Sequence, residues 1–80
     1  MLDPEQIEQW IAAGLACEQL SVDGDGRHFQ ARIVSREFAG LNRVQRQQRV
    51  NQALKEHFDT GVLHALSMQC LTPEEAANRG

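Results

Sequence analysis

The apolar residues of this chain change their spacing three times in eighty positions, and each change requires a different backbone. Ile7, Trp10, Ile11 and Leu15 recur at helical intervals. Asp3 before Pro4, with Gln6 three residues beyond Asp3, supplies a cap, a first-turn proline and a capping-box partner, which predicts a helix over 4–16. Leu20 and Val22 then alternate with polar neighbours, and so do Phe29, Ala31 and Ile33. Between them Asp23-Gly24-Asp25-Gly26 provides the positive φ that a tight turn needs, so the two segments predict an antiparallel hairpin. Asn42, after the aperiodic Phe38-Ala39-Gly40-Leu41, is placed to cap a second helix from Arg43 to about Phe58. That helix carries Val50, Leu54 and Phe58 as its stripe, Val44 and Ala53 on the margins, and a stop near Gly61. Arg43 falls between Val50 and Leu54 on the helical wheel. Either its guanidinium snorkels off the helix start or a short turn precedes the true helix. Alternation returns from Val62 to Leu71, and Thr72-Pro73-Glu74-Glu75 repeats the helix-opening signal for a short terminal helix that frays by Gly80.

The resulting order is αββαβα, an α+β arrangement in one domain spanning residues 1–80. A strand–helix–strand crossover sets the third strand parallel to the second. The expectation is a three-stranded mixed sheet with helices on one face and the other face open to water. A chain of this length buries only about 60% of the surface it exposes when unfolded, which disfavours a deep catalytic cavity. No apolar run approaches the roughly 18 residues of a spanning helix. The opening MLDPEQIEQW lacks the basic-then-apolar order of a secretory signal, so a cytoplasmic address without membrane contact is expected. Cys17 and Cys70 are too few for a disulfide framework or a self-contained zinc site, and read as reduced thiols. No nucleophile elbow, phosphate loop or paired catalytic carboxylates stand out, so no enzymatic turnover is expected.

Charge is segregated along the chain. Residues 1–26 carry six acidic side chains and no Lys or Arg, whereas residues 27–55 carry seven cations against Glu37 alone. The last 25 residues are acidic again, and the whole carries −3. The basic middle either attracts phosphate or an acidic partner, or neutralises the acidic ends once folded.

Several strings, taken in order, resemble the BolA family. They are Phe38-Ala39-Gly40-Leu41-Asn42-Arg43-Val44 leading into an Arg/Gln-rich helix, and Val62-Leu63-His64-Ala65-Leu66-Ser67-Met68 ending in Leu71-Thr72-Pro73-Glu74-Glu75. Gly24-Asp25-Gly26-Arg27-His28-Phe29 and Arg43-Val44-Gln45-Arg46-Gln47-Gln48 are similar to its IbaG-like branch. The likeness covers about residues 20 to 76. It implies a fold like a type II KH domain and two roles. One is joint ligation of a [2Fe-2S] cluster with a monothiol glutaredoxin and its glutathione, for cluster assembly or trafficking. The other is nucleic-acid binding in transcriptional regulation linked to stress or morphology. The chain departs from the pattern twice: Asp25 stands where other branches carry a loop cysteine, and Arg46-Gln47-Gln48 replaces a more basic run.

His64 matches the family's C-terminal histidine. By itself it reads as a core-edge imidazole, and the resemblance makes it a metal ligand. With no loop cysteine, His28 is the candidate second ligand, against a plain reading as an exposed turn histidine beside a mobile glycine-rich loop. His57 reads as a cation favoured near a helix C-terminus. A [2Fe-2S] centre takes four terminal ligands and accepts imidazole on one iron. Two histidines supply at most half the set, so the isolated chain is expected to hold no cofactor, and the thiolates must come from the partner. Cys70, inward on its strand, is a poor substitute. A metal-bound imidazole must be deprotonated, so such binding weakens in acid.

The alternative uses Arg32, Arg36, Arg43, Arg46 and Arg49 as a basic face for DNA. Contact with about three phosphates gives a log–log salt slope of roughly −2.7, which is weak and mostly blind to sequence. Stacking on single-stranded bases wants exposed aromatics, and the chain has no Tyr and only four aromatics in all. The free protein is expected to be a monomer or a weak homodimer.

Overall fold

Local signals at the helix starts largely decide where the chain turns, as a computed structural model describing residues 2–79 shows. The Asn42 side chain accepts from the Gln45 amide at 2.9 Å, and the Gln45 side chain accepts in return from the Asn42 amide at 3.0 Å. This reciprocal pair satisfies two amides that no helical carbonyl can reach, and it opens α2 (Arg43–Asp59). Thr72 and Glu75 make the same exchange at the head of α3 (Pro73–Arg79), at 2.8 and 3.2 Å. The expected fraying at Gly80 lies outside the described residues.

Strands β1 (Gln19–Gly24), β2 (His28–Val34) and β3 (Ala65–Leu71) form one sheet in that order, antiparallel between β1 and β2 and parallel between β2 and β3. The fold is α+β with a mixed sheet, as the periodicity required. Phe29, Ala31 and Ile33 point from the central strand into the core, where Ile7 and Ile11 of α1 (Pro4–Gly14), Val50 and Leu54 of α2, and Leu63 close over them. The opposite row, His28, Gln30 and Arg32, faces water. Among the described residues no helix is long and apolar enough to cross a membrane.

Four features differ from the sequence reading. The first helix ends at Gly14 instead of residue 16, because Leu15 turns extended (φ −152°, ψ 130°) and stays buried. Gly14 is where the helices touch: a Cβ there would lie 2.7 Å from the Ala53 Cβ. Asp3 caps α1 without a side-chain bond, its carbonyl accepting from Gln6 and Ile7 instead. The loop expected from Phe38 is preceded by an unforeseen 3-10 turn, Arg36–Phe38, capped by the Ser35 hydroxyl, which anchors a fully buried Phe38. β3 starts at Ala65, three residues after the expected Val62. Gly61 takes φ +80° and the Leu63 amide donates to the His57 carbonyl, so this stretch serves as the exit from α2. Helix α2 runs unbroken from an exposed Arg43, which settles its place on the wheel: the guanidinium leaves at the helix start.

Candidate functional site

His28 is the first residue of β2, and its strand partner in register is Ala65, which directly follows His64. The two histidines therefore stand at the same end of the sheet, on neighbouring strands, and both are exposed. Alternation sends them to opposite faces. His28 joins the open-face row of Gln30 and Arg32 and lines a shallow recess with Asp23 and Ser67. His64 continues the row of Leu66 and Met68 and heads a groove of about 430 Å³ between β3 and α2. The two rings line different recesses, and what they share is the rim of the sheet.

The turn before His28 is tied. Asp25 Oδ1 accepts from the Arg27 and His28 amides, both at 2.9 Å, and these bonds hold its carboxyl below the ordinary carboxylate range. Gly24 is hemmed in as well, since a Cβ there would strike the Phe29 ring at 2.4 Å and the His28 carbonyl at 2.6 Å. The loop expected to be mobile is thus anchored by its own carboxylate.

The groove at His64 has two unlike walls. Arg43, Gln47 and Asn51, spaced i, i+4, i+8 on α2, make a polar row, while Phe58, Leu66 and Met68 supply an apolar floor. The row is present in the sequence as a helical stripe, and two of its three members, Gln47 and Asn51, are uncharged amides that a basic-face reading of α2 does not include.

Both thiols are free and part-buried. Burial pushes Cys70 up to about 11, and Cys17 is raised by burial and by the nearby Glu18 and Glu37. Among the described residues no three His, Cys, Asp or Glu side chains gather into a metal site.

The five arginines of the nucleic-acid alternative do not form one face. Arg46 turns inward: Nη1 donates to Glu75 Oε1 at 2.7 Å and to the Cys70 carbonyl at 3.1 Å, and Nε donates to the Leu41 carbonyl at 2.9 Å. Only 14% of its side chain is exposed. Arg49 bonds Glu37 at 2.9 Å and the Gly14 carbonyl at 3.1 Å. Arg36 lies beyond the end of β2 and faces Glu18 at 3.8 Å. Arg32 donates to Gln19 on the open sheet face, and Arg43 stands at the His64 groove. The basic middle thus largely serves to neutralise the protein's own acids, as one of the two readings of its charge requires.

One contact had no local signal. The Trp10 and His57 rings stack at 3.5 Å between centroids with an interplanar angle of 8°, pinning α1 to the last turn of α2.

Residues 12–75 match the sequence model of BolA-like proteins. The chain belongs to the BolA-like family. It is 34% identical to the acid stress protein IbaG of Escherichia coli over 76 residues, covering 95% of this chain and 90% of that one. It is 42% identical over 52 residues to a Haemophilus influenzae protein named DNA-binding transcriptional regulator BolA, covering 65% of this chain and 50% of that one. A solved BolA homologue from Coxiella burnetii superposes with a TM-score of 0.87 at 36% identity, covering 96% and 99% of the two chains. In this BolA-like chain the fold and the order of elements are those of its relatives, so the His64 groove lies in a shared framework.

Proposed function

We propose that this BolA-like chain is a non-enzymatic adaptor in the cytoplasm that receives a [2Fe-2S] cluster as cargo, jointly with a monothiol glutaredoxin and its glutathione. His64 is the principal ligand. The observation that carries the reading is its exposed imidazole at the head of an open groove, in a chain whose two thiols are part-buried. An adaptor that offers two exposed imidazoles supplies at most half of the four terminal ligands and completes a cluster only when a partner brings sulfur. His28 is the second ligand, reached across the rim of the sheet by a cluster that approaches the strand ends and not either face. Two nitrogen ligands suit transfer better than storage.

Co-expression with a monothiol glutaredoxin tests this. The expected product is a coloured heterodimer whose visible spectrum changes in His64→Ala and changes less in His28→Ala. An unchanged spectrum and stoichiometry in His64→Ala refutes the ligand assignment.

A second reading, nucleic-acid binding, has in its favour the name of the Haemophilus influenzae relative. In this chain it would rest on Arg32 and Arg43, because Arg46 and Arg49 are bonded internally and Arg36 lies beyond the end of β2, facing Glu18. Two phosphate contacts give a log–log salt slope of only about −1.8. Selective DNA binding that survives moderate salt and vanishes in Arg32→Ala/Arg43→Ala would put this reading first.

A further inference from the structure

Parallel pairing uses the main chain of every second residue of a strand, and in β3 the alternate residues are left over. The Ser35 amide donates to the Leu71 carbonyl at 2.9 Å, which fixes the phase: Leu71, Gln69, Ser67 and Ala65 turn their amides and carbonyls toward β2. Leu66, Met68 and Cys70 turn theirs outward, along a free edge of the sheet. The Cys70 carbonyl is already taken by Arg46. What remains open is a short ladder at Leu66 and Met68, beginning beside His64 and closed at its far end by a guanidinium.

The two free edges are treated differently. Strand β1 carries Asp23 and follows Glu18, charges that discourage pairing with another chain. Residues 62–71 contain no charged residue and no proline, so apart from Arg46 on the Cys70 carbonyl the β3 edge lacks the protection that charges and prolines give. The polar row of α2 runs alongside it. Arg43 there is exposed and, like Arg27 and Arg32, has no ion-pair partner among the described residues; of these three it is the one that lines the groove beside β3.

We infer that the β3 edge receives an extended segment of a partner protein, which adds a strand beside Leu66 and Met68 and sets an acidic side chain against Arg43. Main-chain bonds hold such a segment, and side chains beside them select it. The unpaired cation calls for a carboxylate, and the Arg46 bond to Cys70 limits the added strand to a few residues. The inference goes beyond the cluster-carrier reading and does not depend on it, because neither histidine has to hold metal for the edge to pair.

The test is a titration of 15N-labelled protein with a seven-residue peptide, acetylated and amidated, alternating Val and Thr around one central Glu. Shifts concentrated at the Leu66 and Met68 amides are expected at millimolar peptide. Binding should be about fivefold weaker when the central Glu is Lys, and Arg43→Glu should reverse that preference. Met68→Pro removes an outward N–H while leaving the ladder to β2 intact, a substitution that edge strands accept. It should retain the far-UV circular dichroism of the parent and lose the peptide. Should that variant fail to fold, a peptide N-methylated at alternate residues applies the same test from the other side, and it should not bind. Shifts scattered elsewhere, no shifts, or equal binding of the Glu and Lys peptides would overturn the inference. Concentration-dependent shifts at Leu66 and Met68 without peptide would also overturn it, by giving the edge to a second copy of the chain. His64→Ala should bind peptide normally, so failure at the edge and failure of the metal ligand are read separately.

Discussion

Arg46 and Glu75 meet through two bonds, Nη1 to Oε1 at 2.7 Å and Nη2 to Oε2 at 3.4 Å, and so tie the middle of the chain to its final helix. Glu75 also accepts from the Thr72 amide, and these partners, Arg46 foremost, bring its pKa from 4.5 down to about 2. A carboxylate whose folded pKa is depressed contributes stability that is complete above its unfolded pKa and lost as pH falls through the folded one. Urea unfolding of the parent should therefore weaken between about pH 4.5 and about pH 2. Glu75→Gln should weaken less over the same interval. Arg46→Ala, which also strips the Leu41 and Cys70 carbonyls of a donor, should cost about 2 kcal/mol at neutral pH.

The thiols should be slow. A thiol raised to about 11 keeps only about one part in ten thousand as thiolate at pH 7, and the thiolate is the nucleophile. Timed alkylation with iodoacetamide, read by mass spectrometry, should show Cys17 and Cys70 both modified more slowly than free cysteine. Denaturant should remove the difference. Fast native labelling of Cys70 would undercut the assignment of all cluster sulfur to the partner.

At the helix contact, Gly14→Ala should push α1 away from α2 and cost about 1–3 kcal/mol, as overpacking does. Ala53→Gly alone should cost about 1 kcal/mol through helix propensity. Because the two substitutions act on the same 2.7 Å approach, the double variant should be more stable than the sum of the single losses predicts. Additive losses would show that the helices do not meet there.

The Trp10–His57 stack is open to a double-mutant cycle. Trp10→Ala and His57→Ala, measured singly and together by urea unfolding, should show a coupling of about 0.5–1.5 kcal/mol. No coupling would reduce the stack to coincidental proximity.

What could be read from the sequence was mostly what depends on near neighbours, although the capping box expected of Asp3 and Gln6 did not form. Asn42 with Gln45 and Thr72 with Glu75 are each three residues apart, and both caps formed as the sequence indicated. The sheet order followed from the one crossover, which leaves few arrangements. Glu75 for Arg46, Glu37 for Arg49 and His57 for Trp10 lie 12 to 47 residues away and depend on how α2 crosses α1 and the sheet, which no local spacing encodes. The histidines fall between these cases. Each alternation was visible, with His28 out of phase with Phe29 and His64 in phase with Leu66. Their opposite faces became evident only once the β2–β3 register aligned the two rows.

The crossover from β2 to β3 also governs the order in which this domain can be made. Residues 28–34 form the middle of the sheet, yet one flank stays bare until residues 65–71 have been synthesised and α2 has folded back across them. A nascent chain cut short inside α2 would present Phe29, Ala31 and Ile33 with half their cover, so truncation there should yield an aggregation-prone product instead of a smaller stable domain.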